Sequence, residues 1–329
     1  MAESSSSEFR YYRHSGNFSP GGALFSLLLG FVVGAPLAWL YAWFIRWDPF
    51  IYLNIVACIF FGLILGAATQ QFLVSRKCRS TTVAAVVAFL STLASYYLSW
   101  AVWLHAITQV RTLEFIRPFT MLGFILAVNE RGVWNYHGSV IRGAVLWVIW
   151  AVEAGLILGF SCYWATHEML EATFCEHCEL WTKEEKGICL VAAGAAPPIA
   201  DKPAFKTYLK GLKQHAADLK MRLDQKDMSY LEQLGPVAPD AIAWYGLDVH
   251  SCPQCRMTHT LRVTQFKKKV EGKKSKTETS EKEVLRQLLL SISEVDALRK
   301  LKEKNEALIE AKLNREDEVG ENEDETKNR

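Results

Sequence analysis

Three long stretches of this chain, residues 21–45, 49–75 and 80–110, contain no Asp, Glu, Lys or Arg, and a fourth, residues 143–166, contains only Glu153. About 20 apolar residues cross the hydrocarbon core of a bilayer. Helices buried in a soluble protein keep a polar stripe, which these segments mostly lack. Crossing helices are therefore expected at about 21–45, 50–75, 81–107 and 143–166. Charge distribution supports the division. Of 37 Lys+Arg only 10 lie in residues 1–170, leaving 27, and of 35 Asp+Glu only 7 do, leaving 28. A charge-poor membrane half thus precedes a charge-rich soluble half. The net charge of +2 gives no reason to expect nucleic-acid binding.

The N-terminal MAESSSSEFRYYRHSGNFSPGG is polar, and the apolar span after it is too long for a signal-peptide core. Residues 1–19 are expected to be a disordered tail, and the first span a retained anchor. A shorter apolar run, residues 119–128, is flanked by Arg111, Glu114, Arg117, Glu130 and Arg131. It is too short to cross alone, so residues 113–128 read as an interfacial or re-entrant helix.

Lys and Arg near span ends set the orientation. Arg10 and Arg13 precede span one, and Arg76, Lys77 and Arg79 join spans two and three. Both segments are expected on the cytoplasmic side, and four spans return the C-terminus there. Arg111, Arg117, Arg131 and Arg142 pull the other way, and a crossing by residues 119–128 would reverse the soluble half. Trp39, Trp43, Trp47 and Tyr52, with Tyr96, Tyr97, Trp100 and Trp103, mark one headgroup level.

Small residues four apart let helix backbones approach closely. Gly30 and Gly34 have this spacing, and GLILG occurs twice, at residues 62–66 and 155–159. Such pairs serve intramolecular packing or association of two copies. Glu153 is the single acid within a span, where an ionised group is costly. Two readings stand: a proton or cation site, with His105 as a candidate companion, or a protonated carboxyl bonded to a neighbouring helix.

Two CxxC pairs follow the spans: Cys175 with Cys178, and Cys252 with Cys255. Four thiolates from two tight turns satisfy a tetrahedral ion, and four ligands close its coordination sphere, as in a structural zinc site. The alternating THTLRVTQF after the second pair reads as a strand, and residues 188–191 as another. A compact ribbon separates its pairs by roughly 15–20 residues, whereas here residues 179–251 intervene. Within them Phe205, Leu209, Leu212, Ala216, Leu219 and Leu223 recur at helical spacing after the break at Pro197-Pro198. Residues 168–269 are thus expected to be a zinc-ribbon-like domain with a helical insertion. Thiol–disulfide chemistry and unrelated thiol pairs are the alternatives. His177, Cys189, His250 and His259 are nearby groups able to replace a ligand.

Residues 270–283 read as a polar linker. Leu285, Leu288, Leu289, Ile292, Val295, Leu298, Leu301, Leu308 and Ile309 read as the seam of an amphipathic or coiled-coil helix over 284–314. Residues 315–329 are acidic and expected to be disordered. The fold class expected is thus a membrane all-α domain of four transmembrane helices, plus a soluble α+β domain ending in an amphipathic helix.

The strings FRYYRHSGNFSPGG, PFIYLNI, WAVEAGLILGF and FCEHCELW resemble a loosely defined group of uncharacterised bacterial four-span membrane proteins with a CxxC-containing C-terminal domain. The resemblance covers the membrane half and the first CxxC. It implies a bacterial plasma (inner) membrane and no particular chemistry. No Walker, HExxH, GxSxG or GxGxxG pattern occurs. Three functions remain in view. One is a non-enzymatic scaffold whose residues 284–313 engage a protein partner or a second copy. The second is a small transporter or channel using Glu153, and the third a redox or metal sensor using the CxxC pairs.

Overall fold

The computed structural model describes residues 10–47, 51–136, 139–194, 196–197, 201–238, 241–271 and 274–327. The chain divides into two compact units, residues 14–172 and residues 1–13 with 173–329. Pro198 and the first nine residues of the expected tail lie outside the described residues.

The first unit holds four helices long and apolar enough to cross a membrane: α1 Pro20–Trp47, α2 Ile51–Ser75, α3 Thr81–Thr108 and α5 Ala144–Glu171. Apolar side chains such as Leu24, Leu28, Val32, Val148 and Val152 point outward. An apolar exterior of this extent fits lipid rather than water. The interior is polar where the helices meet. Ser91, Ser95 and Ser99 lie buried along α3, and Ser95 donates to the Ser91 carbonyl at 2.9 Å. Thr92 and Ser161 hydroxyls meet at 2.7 Å. Hydroxyls and small residues allow the close approach on which membrane helices depend.

The glycine pairs divide in an informative way. A methyl at Gly30 would press on Ser91 at 3.0 Å, and Gly34 lies against Ser95. A methyl at Gly62 or Gly66 would run into the carbonyl oxygens of Ile157 and Ser161 on α5. Gly155 and Gly159 face open space. The first GLILG is therefore a helix-packing site within the unit, and the second is not.

Between α3 and α5 come a 3-10 turn, Thr112–Ile116, the helix α4, Pro118–Arg131, and a short hairpin of β1, Trp134–Tyr136, with β2, Ser139–Ile141. Fourteen residues of α4 span about 21 Å, short of the roughly 30 Å hydrocarbon core. Phe115 and Met121 are buried against Ala101 and Leu104 of α3. Phe119 is 90% exposed, and Leu122 and Leu126 face outward with it. An apolar outer stripe on a short helix is the pattern of an interfacial element.

Two contacts place the basic segments at one end of the bundle. The Arg79 amide donates to the Asn17 carbonyl at 2.9 Å. His14 Nε2 lies 2.8 Å from the Met169 carbonyl.

The second unit is built on an antiparallel sheet of four strands in sequence order: β5 Lys183–Ala192, β6 Ala243–Ser251, β7 His259–Glu271 and β8 Lys274–Leu290. A small hairpin, β3 Phe174–Cys175 with β4 Leu180–Trp181, precedes it. Two helices are inserted between β5 and β6: α6 Lys202–Asp224 and α7 Ser229–Leu234. The amphipathic face expected on α6 is the face that packs: Phe205, Leu212, Ala216, Leu219 and Leu223 are buried. The core joins Leu212, Ala216, Leu219 and Leu223 to Ile188, Tyr245, Leu247, Leu261, Val263 and Leu288.

Three sequence expectations fail here. The expected linker at 270–283 is mostly strand, because β7 and β8 pair across nearly their whole length. The expected helix from 284 begins only at Ile292, as α8 Ile292–Lys327. Leu285 and Leu288 are paired with Val263 and Leu261. Their helix-like spacing of three arises from an irregular register near Gln287, which has φ 56°. An extra residue in a strand turns its period of two into three and keeps both leucines on the buried face. Val295, Leu298 and Leu301 at the start of α8 are buried in the same core. The expected acidic tail continues α8 to Lys327, since Glu, Lys and Asn without proline do not oppose a helix already nucleated.

The N-terminal segment departs from expectation as well. Tyr11 bridges Leu288 at the free edge of β8, and the Leu289 amide donates to the Arg10 carbonyl at 2.9 Å. The Tyr11 hydroxyl donates to the Asp224 carboxylate at the end of α6. Residues 10–13 thus cover a sheet edge rather than forming part of a loose tail.

Candidate metal centre

Cys175, Cys178, Cys252 and Cys255 converge: their four sulfurs lie within 4.8 Å of one another. All four are free thiols, and Cys175 Sγ is 3.6 Å from Cys255 Sγ. Such a cluster can hold a metal ion.

Each pair sits in the turn of a hairpin. Cys175 pairs with Leu180 across β3 and β4. The second pair occupies the β6–β7 turn, where Ser251 pairs with His259 and the Cys252 amide donates to the Thr258 carbonyl at 3.0 Å. The residue after the second cysteine is left-handed in both turns, Glu179 at φ 51° and Arg256 at φ 53°. The Met257 amide reaches Cys255 Sγ at 3.4 Å.

The sheet brings the two turns together despite the long intervening sequence. Lys183, which opens β5, pairs with Ser251, which closes β6, so the two hairpins meet at one end of the sheet. Thr173 and Thr260 hydroxyls join at 3.0 Å beside them. Phe174 is buried and stacks edge-on against Trp181 at 5.0 Å.

The electrostatics of the cluster are uneven. Burial opposes ionisation of Cys252, but the amides of Cys255 and Gln254 and the neighbouring thiols outweigh it and bring the thiol down to about 6. Cys175 is held below the ordinary range: burial works against this, and Thr258, Cys178 and Cys255 supply the compensating hydrogen bonds. Cys178 is pushed up to about 12, first by its hydrogen bond with Cys255. Thiolate is the form that binds metal.

The other nearby groups stand outside the cluster. His259 bonds through Nδ1 to the Ser251 hydroxyl at 2.7 Å and through Nε2 to the Arg256 carbonyl. Nε2 therefore carries the proton, both nitrogens are committed, and the ring braces the second turn. His250 pairs with Glu184 at 3.7 Å, His177 is exposed, and Cys189 is buried in the sheet core near Asn305.

The intramembrane acid has a partner that lies far away in sequence. The Tyr41 hydroxyl donates to Glu153 Oε1 at 2.7 Å, and Cys58 Sγ lies 3.2 Å from the same hydroxyl. His105 is not joined to Glu153: its Nδ1 lies 2.7 Å from the Val110 carbonyl at the end of α3.

Comparison of the chain with family models, curated proteins and solved structures yields no match.

Proposed function

We propose that this chain is a non-enzymatic membrane scaffold or adaptor whose four helices anchor a zinc-stabilised, zinc-ribbon-like module on the cytoplasmic side of the plasma membrane. The convergence of four thiols from two hairpin turns carries the reading. At a Zn–S distance of 2.3 Å, tetrahedral sulfurs stand about 3.8 Å apart, a spacing the cluster already approaches. Four cysteines would fill the sphere and leave no position for substrate, so the ion would clamp and not catalyse. The clamp ties residues 175–178 to residues 252–255, and the exposed length of α8 is the surface offered to a partner or a second copy.

Metal analysis of the purified chain tests the clamp. The expected result is about one tightly bound zinc per chain, lost in Cys178→Ser and Cys255→Ser. Metal-free protein with a Cys175–Cys255 disulfide that cycles with added dithiol would overturn the reading in favour of a redox sensor. The adaptor role is tested by crosslinking in native membranes. Adducts should disappear when residues 302–329 are removed, and adducts that persist unchanged would count against it.

A further inference from the structure

The carboxylate of Glu153 stands between two cavities within the membrane unit. The first, about 40 Å³, is lined by Tyr41, Ser99, Trp100, Trp103, Trp150 and Glu153; a single water needs roughly 10–15 Å³ on the same measure. The second, about 160 Å³, is lined by Asn54, Cys58, Val148, Val152 and Glu153.

The polar inventory of both cavities is one-sided. Glu153 is an anion-forming group, and among the described residues no Lys, Arg or His lines either space. Tyr41 already directs its hydroxyl at the carboxylate. Asn54 Oδ1 is buried with no hydrogen-bond partner, and Asn54 is 8% exposed. Unpaired buried acceptors are costly and call for a donor. In its ionised form a buried Glu153 is held by a countercharge.

The aromatic lining narrows the chemistry. Trp100 meets Trp103 at 5.6 Å and Trp150 at 5.0 Å, both edge-on. Rings set at right angles to one another present faces and edges around a small space. Indole faces attract organic cations, which shed their water more easily than metal ions do.

The site lies toward one end of the bundle, where Val133 also lines the first cavity. Tyr41 is six residues from the end of α1, Trp103 five from the end of α3, and Trp150 six from the start of α5. At 1.5 Å per residue the site lies about 9 Å inside that end of the bundle. This is the end opposite the one where Arg79 meets Asn17 and His14 meets Met169.

From this geometry we infer that Glu153, Asn54 and the Trp100–Trp103–Trp150 box form a binding site for a primary alkylammonium group. The ammonium supplies the charge that Glu153 lacks and N–H donors for Asn54, and its carbon chain lies on apolar wall. Two sources carry this group in a membrane: a free amine and the head of an aminophospholipid. The inference does not depend on the scaffold reading or on the metal.

The test is binding of radiolabelled butylammonium to the full chain in nanodiscs of phosphatidylglycerol alone. Saturable binding is expected, unaffected by equimolar potassium. Glu153→Gln should weaken it about tenfold or more, and Trp150→Leu at least about threefold. Both variants should elute as the wild type does and keep its metal content. Adding phosphatidylethanolamine separates the sources. Competition assigns the site to the lipid head, and unchanged binding assigns it to a free amine. Absence of saturable binding would overturn the inference, as would equal binding by Glu153→Gln and Trp150→Leu, or displacement by potassium at the amine's own concentration.

Discussion

Cys178 and Cys189 are both free thiols of the soluble unit, yet they sit in different chemistry. Cys178 has three sulfurs around it, whereas Cys189 is packed against the sheet core with Asn305. Cys189→Ser should retain bound metal and lose about 1–2 kcal/mol of stability from burying a hydroxyl. Cys178→Ser should release the metal, a difference that elemental analysis and thermal melting would show side by side. His215 gives a prediction in pH. Its Nδ1 lies 3.0 Å from the Tyr245 hydroxyl, to which Gln265 also donates at 3.2 Å. Burial lowers the tendency of His215 to protonate, opposed in part by Asp218. The unfolded chain therefore takes up the proton first as pH falls. The contribution to stability is full above about 6.5, the unfolded value, and declines as pH drops below it. Denaturant unfolding of the metal-loaded protein between pH 7.5 and 5 should show this slope, and His215→Gln should flatten it. The two CxxC pairs were legible in the sequence because a metal-ligand signature is local. The partner of Glu153 was not, because Tyr41 reaches it only once α1 and α5 have packed.

At the scale of elements, the apolar spans were readable from the absence of charge, and α6 from its helical spacing. Strand β8 was misread for a physical reason. An irregular register near Gln287 gives Leu285 and Leu288 a spacing of three, and the polar Lys/Ser/Thr stretch before them imitates a linker. The boundary at Ile292 has a direct consequence. Removing α8 from residue 292 deletes buried Val295, Leu298 and Leu301, each worth about 1.5–3 kcal/mol, and should destabilise the soluble unit severely. Removing residues 314–329 should leave its melting temperature unchanged. The two GLILG strings also part company. Gly66→Val forces a side chain onto the Ser161 carbonyl and should separate α2 from α5, lowering detergent-resistant stability by several °C. Gly159→Val meets open space and should be neutral for the folded monomer. Gel filtration and thermal unfolding in detergent would compare them.

For the whole molecule, the N-terminal segment bears on the proposed topology. Residues 10–13 belong to the same unit as residues 173 onward, through the bridge of Tyr11 to Leu288. In the proposed topology the stretch between them, residues 14–172, crosses the bilayer an even number of times, through the four helices long and apolar enough to do so. A fifth crossing by α4 does not fit this proposal, and α4 has only 14 residues. Arg10, Arg13, Arg76, Lys77 and Arg79 lie with the ends of this stretch, and Arg46, Arg111, Arg117, Arg131 and Arg142 at the other end; the proposed cytoplasmic placement rests on the first group. The measurement that bears most directly on a cytoplasmic, metal-clamped module is labelling by a membrane-impermeant thiol reagent. It uses a variant whose only cysteines are Cys175, Cys178, Cys252 and Cys255, in intact and opened cells, with and without chelator. Labelling is expected only in opened cells after chelation. Labelling in intact cells, or in opened cells without chelation, would contradict a cytoplasmic, metal-clamped module.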